Sequence, residues 1–449
     1  MFKNIKKKKL NQNQLIRILF NIFPLVMLFP SGYITTYVAF FIIYSYTFIL
    51  ANKIKIKFFF ADFLIHLFFI LSIISTIINY DNTNYIILAK SIADIRFALL
   101  FLLIRNLFYY KIIKIDILLI SSLICSIFLS LDIFLQFGYG KDILGYPEIN
   151  ARYNSVFGKE AIAGSYIQKF SILAILGSIF LKFRNIITKK LFIIFITTIL
   201  GTGILLTLDR IPFIIYIFSL ILMLILIKNY RKIFFSSFFI IILFFLIIYK
   251  NNDLINQRYS PIYGIAKIIV SEKIMQIKDN NKQKKEFQVT AANSGIEYLK
   301  LFNSAIYVFN SHFWFGSGSK SYLKSCVELI KYNKDLLCST HPHNIYLEIL
   351  INQGIVGIFI FITFLFILLR KYYLDLMIIK TTDANYKLLK LFFLIILIAE
   401  LWPLRSYGSI FQTVNGSMFW FTVSLMSSIK WIKLDRKTFS RKILKFHSF

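Results

Sequence analysis

Apolar runs separated by polar punctuation divide the chain into about twelve stretches, near residues 15–30, 33–51, 58–79, 86–108, 116–138, 161–181, 191–208, 211–227, 233–249, 346–369, 388–405 and 410–430. A hydrocarbon core of roughly 30 Å takes about 20 apolar residues per helix, so each stretch is a candidate membrane span. Many are rich in Ile and Phe, and isolated propensity would make them strands. In lipid an open sheet would leave its edge groups unpaired, so the membrane selects helix. Only Phe29-Pro30-Ser31-Gly32 separates the first two stretches, and only Asp209-Arg210 the seventh and eighth. Each pair reads as a tight hairpin, because Pro and Gly form turns and an exposed ion pair does not stay in hydrocarbon. The pattern predicts an all-α polytopic membrane protein. Nine spans occupy residues 1–249, a large loop 250–345, three more spans 346–430 and a basic tail 431–449.

The polar positions orient this arrangement. Every second connection carries a basic cluster: Lys3 and Lys6 to Lys9; Lys53, Lys55 and Lys57; Arg105, Lys111 and Lys114; Lys182, Arg184, Lys189 and Lys190; Lys228, Arg231 and Lys232; Arg370, Lys371, Lys380, Lys387 and Lys390; and the tail from Lys430 to Lys445. The intervening short connections are nearly bare, as in 79–84, where Asp81 is the lone charge. The positive-inside rule makes the basic clusters cytoplasmic. Both termini are then expected inside, with an even number of spans. The Lys-rich start followed by an apolar run resembles a signal peptide but has no small-residue cleavage site after it, so it reads as an uncleaved first span.

Composition agrees with this picture and narrows it. Of 449 residues 58% are hydrophobic and only 16% charged, with a formal net charge of +31. A soluble domain carries roughly 45–50% apolar and about 25% charged residues. Fifty Phe, 17 Gly, 7 Pro and 3 Cys exclude disordered, collagen-like and disulfide-scaffold chains. A basic soluble nucleic-acid binder does not fit either. The positive charge is chiefly a topology signal that also favours the inner leaflet, and no nucleic-acid partner is expected.

Two outer segments depart from the pattern of short bare turns: 139–160, and 250–344 at about 95 residues, too long for a mere connector. The second contains a predicted amphipathic helix over Ser294–Val308, with Ile296, Leu299, Phe302, Ile306 and Tyr307 at helical spacing. Large loops held over a rigid scaffold commonly carry function. Cys326 and Cys338 both fall there, in oxidising space if this is a bacterial envelope protein, and a disulfide between them is expected. It would stabilise the loop by about 3 kcal/mol on the chain-entropy account. Cys125 lies within a span and reads as a small packing residue.

The densest polar constellation is Ser339-Thr340-His341-Pro342-His343-Asn344, where the large loop re-enters the membrane, followed by Glu348 and Gly354-Ile355-Val356-Gly357. Two of the five histidines stand here, one residue apart, and a neutral imidazole is a natural general base near neutral pH. The alternatives are a surface loop with chance histidines or a partial metal site. No Cys or carboxylate cluster with ligand spacing accompanies the pair, which disfavours metal. Outward arginines form the second constellation: Arg152 within 151–160, Arg210 in Thr207-Leu208-Asp209-Arg210, and Arg405 in Trp402-Pro403-Leu404-Arg405-Ser406. They could snorkel to headgroups or pair locally, Arg210 with Asp209 for example. Alternatively their planar forks bind phosphate oxygens. His66, Asp94 and Arg96 lie in or near spans, and the last two read as a polar contact within the bundle.

From Phe313-Trp314-Phe315-Gly316-Ser317-Gly318 through His341-Pro342-His343-Asn344 to Gly354-Ile355-Val356-Gly357, the chain resembles the O-antigen ligase and polymerase superfamily. The Thr-Leu-Asp-Arg210 hairpin resembles that family's Ser-Arg motif, with Asp209 where Ser is usual. Arg152 with Phe157-Gly158 and Gly164 resembles its Arg-containing segment ahead of a span. The resemblance implies a metal-independent membrane glycosyltransferase without cofactor, in the bacterial inner membrane. It would act on the periplasmic side, moving a glycan from an undecaprenyl diphosphate carrier to an acceptor sugar hydroxyl. Under it His343, then His341, would be the base, Arg210 and Arg152 would hold the diphosphate, and Asn344 and Arg405 would support them. A ligase acting on lipid A core is the preferred form, with a polysaccharide polymerase as the alternative. A transporter of lipid-linked glycan would be expected to show broken helices and internal repeats, which the sequence does not display.

Overall fold

The computed structural model describes residues 2–79, 85–260, 300–332, 336–377, 384–403, 405 and 408–432, with side chains described from residue 12 to 374 and from 384 onward within those ranges. The Lys3 and Lys6 to Lys9 side chains, Asp81, Lys380 and the tail beyond 432 lie outside the described residues. Among the described residues helix is the only regular structure apart from a single bridge between Lys141 and Pro147.

The helices follow the apolar stretches in order: α1 Phe2–Asn21, α2 Phe23–Val26, α3 Ser31–Ala51, α4 Phe60–Ile78, α5 Tyr85–Ala93, α6 Ile95–Tyr109, α7 Asp116–Tyr139, α8 Ala163–Phe180, α9 Ile186–Leu206, α10 Arg210–Leu226 and α11 Arg231–Asn251. In the outer loop α12 covers 253–260, α13 covers 300–311 and α14 is Tyr322–Ile330. Then come α15 Ile345–Met377, α16 Ala384–Glu400 and α17 Thr413–Ser427. Among the described residues seven helical segments are long and apolar enough on their own to cross a membrane: Ser31–Ala51, Phe60–Ile78, Asp116–Tyr139, Ala163–Phe180, Ile186–Leu206, Lys228–Asn251 and Ile345–Leu374. Arg210–Leu226 is a shorter apolar helix. The other expected spans are interrupted or short. The first breaks ahead of Pro24, the fourth at Asp94, and α16 and α17 have 17 and 15 residues. The chain is therefore a multi-pass membrane protein with about seven self-sufficient spans.

Small residues let the central helices approach closely, as they must where lipid offers no hydrophobic drive between helices. A Cβ on Gly177 of α8 would come within 2.8 Å of the Leu119 carbonyl oxygen on α7, and one on Gly203 of α9 within 2.7 Å of Ser130 Oγ. As a result α8 is buried along nearly its whole length, whereas α11 exposes Phe235, Phe239, Leu243 and Leu246 as an outer lipid-facing helix.

Three local expectations need correction. Arg105, read as part of an inward loop cluster, is a buried residue of α6. It pairs with Asp62 of α4, donates to the Lys57 carbonyl at 2.7 Å and lies 4.3 Å from the Phe59 ring centroid. Burial makes it a lock between helices rather than a surface charge. The structure also has a broken helix that the sequence did not announce. At Gly354 (φ 65°, ψ −162°) α15 leaves helical geometry. The backbone groups so released are taken up by the outer loop: Ser317 N–H bonds Ile351 O at 2.7 Å, Gly318 N–H bonds Asn352 O at 3.2 Å, and Ile355 N–H bonds Phe313 O at 2.9 Å. Glycine is needed at 354, because an added Cβ would sit 2.3 Å from the Trp314 carbonyl oxygen. Finally, residues 294–299 of the expected outer-loop helix lie outside the described residues, and α13 turns a different face inward. Ala305 and Val308 pack on Tyr322, Cys326 and Ile351, while Ile306 and Tyr307 are exposed.

Candidate functional site

At the end of the bundle opposite the basic connections, four chain segments converge on a cavity of about 310 Å³. Each is held there by identifiable local chemistry.

The histidine segment is fixed by Asn344. Its side-chain carbonyl accepts the N–H groups of Tyr346 and Leu347 at 3.0 and 3.2 Å, capping α15, and its amide donates to the Pro403 carbonyl at 2.7 Å. Tyr346 adds a hydroxyl bond to Leu401 O at 2.6 Å. With both ends pinned, His343 is held at φ 55°, in the left-handed region that non-glycine residues seldom occupy. Its ring centroid lies 4.1 Å from that of His341. Ser339 Oγ donates to His341 O at 2.5 Å, and the Thr340 hydroxyl lies 3.1 Å from His341 Nδ1. Burial holds His343 below the ordinary imidazole value, which keeps the ring neutral and able to accept a proton at neutral pH.

Arg152 sits on the 140–158 loop, which two residues near the end of α7 hold in place. Gln136 donates to Tyr146 O and Pro147 O, both at 3.1 Å, and accepts Ser155 N–H at 2.9 Å. Asp132 accepts Ile143 N–H at 2.8 Å and the Ser155 hydroxyl. Gly140, left-handed at φ 78°, ends α7 ahead of this loop.

Arg210 opens α10 directly after the Thr207-Leu208-Asp209 hairpin, with Leu208 at φ 62°. The hairpin lies so close to α8 that a Cβ on Gly164 would meet Thr207 Oγ1 at 2.6 Å and Asp209 Oδ2 at 3.0 Å. The ion pair formed by Asp209 is with Arg152, Oδ1 to Nε at 3.4 Å, across two loops. The local pair with Arg210 that the sequence offered does not form among the described residues. Asp209 is buried, which pushes its carboxyl up to about 6 against the opposing pull of Arg152 and Arg258. Among the described residues Arg210 has no ion-pair or hydrogen-bond partner, and it lines the cavity with Arg152, His341 and His343.

The fourth segment brings Gly408 and Asn415 to the wall, with the Asn415 amide packed on Gly408. Neither was singled out from the sequence. The same is true of Arg258 in α12. Burial, then the charges of Arg152 and Arg210, lower its guanidinium, and Asp209 opposes them. All three arginines therefore share one electrostatic neighbourhood. Tyr259, whose hydroxyl bonds Leu205 O at 3.1 Å, fastens α12 to the end of α9. The signal that would have found Arg258 is its place as the first basic residue after Lys250 at the outer end of α11.

Other expected residues lie elsewhere. Arg405 is buried and outside the cavity wall, bonded to Glu400 Oε1 at 3.1 Å, Gln168 Oε1 at 2.7 Å and Ala399 O at 3.0 Å. Cys326 and Cys338 are joined, with Cα atoms 5.7 Å apart, below the histidine segment in sequence. Among the described residues no three His, Cys, Asp or Glu side chains gather as a metal-holding group.

A search of curated proteins returned no match to the chain. Residues 193–362 match a known family, described as O-Antigen ligase. The matched region runs from α9 through the first half of α15, and so contains Asp209, Arg210, Arg258, the disulfide and both histidines, but neither Arg152 nor Arg405. Residues 193–362 thus form a domain of the O-antigen ligase family, whose members are membrane glycan-transfer proteins of ligase and polymerase type.

Proposed function

We propose that the outer cavity is the active site of a glycosyltransferase that moves a glycan from an undecaprenyl diphosphate carrier to an acceptor sugar hydroxyl, on the periplasmic side of a bacterial inner membrane. The observation that carries this reading is the meeting of two imidazoles, His341 and His343, with two arginines, Arg152 and Arg210, on the wall of one outward cavity. Diphosphate is a competent leaving group and needs charge stabilisation more than a protonating acid. Arg210 and Arg152, with Arg258 behind them, supply positive charge in excess of Asp209 where that charge develops. His343 takes the proton of the attacking hydroxyl, with the His341 ring tilted against it, and Asn344 sets its position. The C–O bond to the carrier diphosphate breaks as the bond to the acceptor oxygen forms, and attack opposite the leaving group inverts the anomeric centre. The lipid tail of the carrier lies along the apolar flank of the bundle.

Transfer to lipid A core, as in a ligase, is the form we favour over polymerisation onto another carrier-linked repeat. The glycolipid profile of a deletion strain separates the two: unligated carrier-linked polymer indicates a ligase, single-repeat capped core a polymerase. For the active site itself, His343→Ala should abolish transfer while the protein inserts and accumulates normally. Wild-type levels of surface glycan in a deletion strain complemented with that variant would overturn the assignment.

A further inference from the structure

A second outward basic group lies beside the cavity, and the mechanism above does not use it. Asp94, fully buried at the junction of α5 and α6, is approached by Lys320 Nζ at 3.5 Å and Arg96 Nη2 at 3.7 Å. Lys90 is one helical turn before Asp94, and its charge reaches Lys320. Glu348 of α15 also faces this group, buried beneath it, with its Oε2 accepting Ile410 N–H at 3.1 Å. The carboxylates are thus at the bottom and the cations above them: Asp94 is 0% and Glu348 6% exposed, whereas Lys90 is exposed and Arg96 and Lys320 are half-buried. The guanidinium of Arg96 is only partly used. Its Nη2 contacts Asp94 and Thr413 Oγ1, and its Nε is buried without a hydrogen-bond partner.

The backbone is shaped to present Lys320. The residue is held at φ 57° by a segment woven into the break in α15 and tied to α4 through Ser319 N–H to Thr76 Oγ1 at 3.0 Å and Asn79 Nδ2 to Gly316 O at 2.9 Å. The elements that carry Lys90 and Lys320 also expose apolar side chains: Ile86 and Ile92 on α5, and Trp314, 65% exposed, on the loop of Lys320. The group also shares a wall with the cavity. Thr413, which meets Arg96, and Asn415, which lines the cavity, are two residues apart at the start of α17 and so project about 200° apart around that helix. The two basic centres flank one helical turn, on the order of 10 Å across.

From this arrangement we infer that Lys320 and Arg96, assisted by Lys90, form a second anion site that takes the phosphate of a lipid-anchored second substrate, the acceptor. The identification of that ligand as the acceptor rests on the proposed transfer reaction; the phosphate site does not. A transferase with two membrane-bound substrates needs two headgroup sites flanking one reacting centre, and the first turn of α17 separates two such sites.

The test uses the full-length chain in phosphatidylcholine nanodiscs, with fluorescent phosphatidic acid as the probe and glucose 1-phosphate as a soluble competitor. Arg96→Gln/Lys320→Gln should weaken phosphatidic acid binding at least tenfold, and the charge-conserving Arg96→Lys/Lys320→Arg should hold it within about threefold. Competition by glucose 1-phosphate would assign the site to a phosphate carried on the glycan, and its absence to a lipid headgroup phosphate. In transfer assays the neutral pair should raise the acceptor KM at least tenfold with little change in donor KM. Unchanged phosphatidic acid binding in the neutral pair would overturn the proposal. So would equal loss in the charge-conserving pair together with a lowered melting temperature, since Lys320 would then merely dock its loop. If His343→Ala and Arg210→Gln leave transfer intact while the neutral pair still loses phosphatidic acid, the active-site reading fails and the anion site stands.

Discussion

Two arginine centres in this molecule look alike in sequence and differ in the structure. Arg405 is enclosed: Glu400, Gln168 and the Ala399 carbonyl surround it, and Lys169 shares the Glu400 carboxylate at 3.7 Å. Arg152, Arg210 and Arg258 crowd around Asp209 at the edge of an open cavity, with Arg210 unpaired among the described residues. A charge buried away from water must be matched or it is costly, so a matched network joins helices. Uncompensated charge over a cavity instead awaits an anion. The difference between a structural and a binding arginine lies in the balance of its surroundings, not in its position at a span end.

The largest effect should come from opening the closed centre. Arg405→Gln takes from the buried Glu400 its 3.1 Å ion-pair partner and should cost about 3–5 kcal/mol of stability, read as a much lower melting temperature in detergent and poor accumulation. A stable Arg405→Gln protein that had lost donor affinity alone would erase the distinction. Arg210→Gln should do the opposite. Transfer should fall roughly 10²- to 10³-fold, as when one preorganised charge donor is removed from a reacting site, with the melting temperature nearly unchanged. Arg210→Lys should recover only part of the loss, because a point charge replaces a bidentate fork.

The pH profile sharpens the same contrast. Burial lowers His343 from the imidazole value of 6.5, and the base works in its neutral form. Transfer should therefore hold on acidification past pH 6.5 and then fall about tenfold per pH unit below the His343 pKa. A limb centred above pH 7 would mean that another group supplies the base.

Much of this organisation is legible in the sequence, for physical reasons. Apolar runs bounded by Lys and Arg report spans and sidedness because the bilayer penalises exposed charge and unpaired backbone uniformly. His341 and His343 were visible because polar residues concentrate where a loop re-enters the membrane. Arg105 was misread because a buried ion pair across helices uses the same residue types as a loop cluster, and its partner Asp62 is far away in sequence. The break at Gly354 was hidden because its hydrogen bonds are satisfied by Phe313–Gly318, which no local pattern connects to α15. Lys169 and Glu400, buried and paired inside the bundle, were invisible for the same reason.

The smallest predicted effect tests the balance argument most directly, because it alters one carboxyl of the open centre without touching an arginine. Asp209 competes with any bound anion for Arg152, at 3.4 Å. Its pKa is raised from 3.8 to about 6 by burial, so at pH 7 the ionised form is held against its preference. A raised folded-state value means that the group favours the folded protein below pH 3.8 and that this contribution is lost as pH rises through about 6. Asp209→Asn should therefore bind pyrophosphate about fivefold tighter than wild type at pH 7, the size of one half-exposed ion pair. The gain should shrink toward nothing at pH 5, where wild-type Asp209 is itself protonated. The wild-type melting temperature, measured relative to that variant, should rise over the same interval. A tightening that persisted unchanged at pH 5 would show that the asparagine acts through shape and not through charge. The excess of arginine over carboxylate would then not be what sets anion affinity at this site.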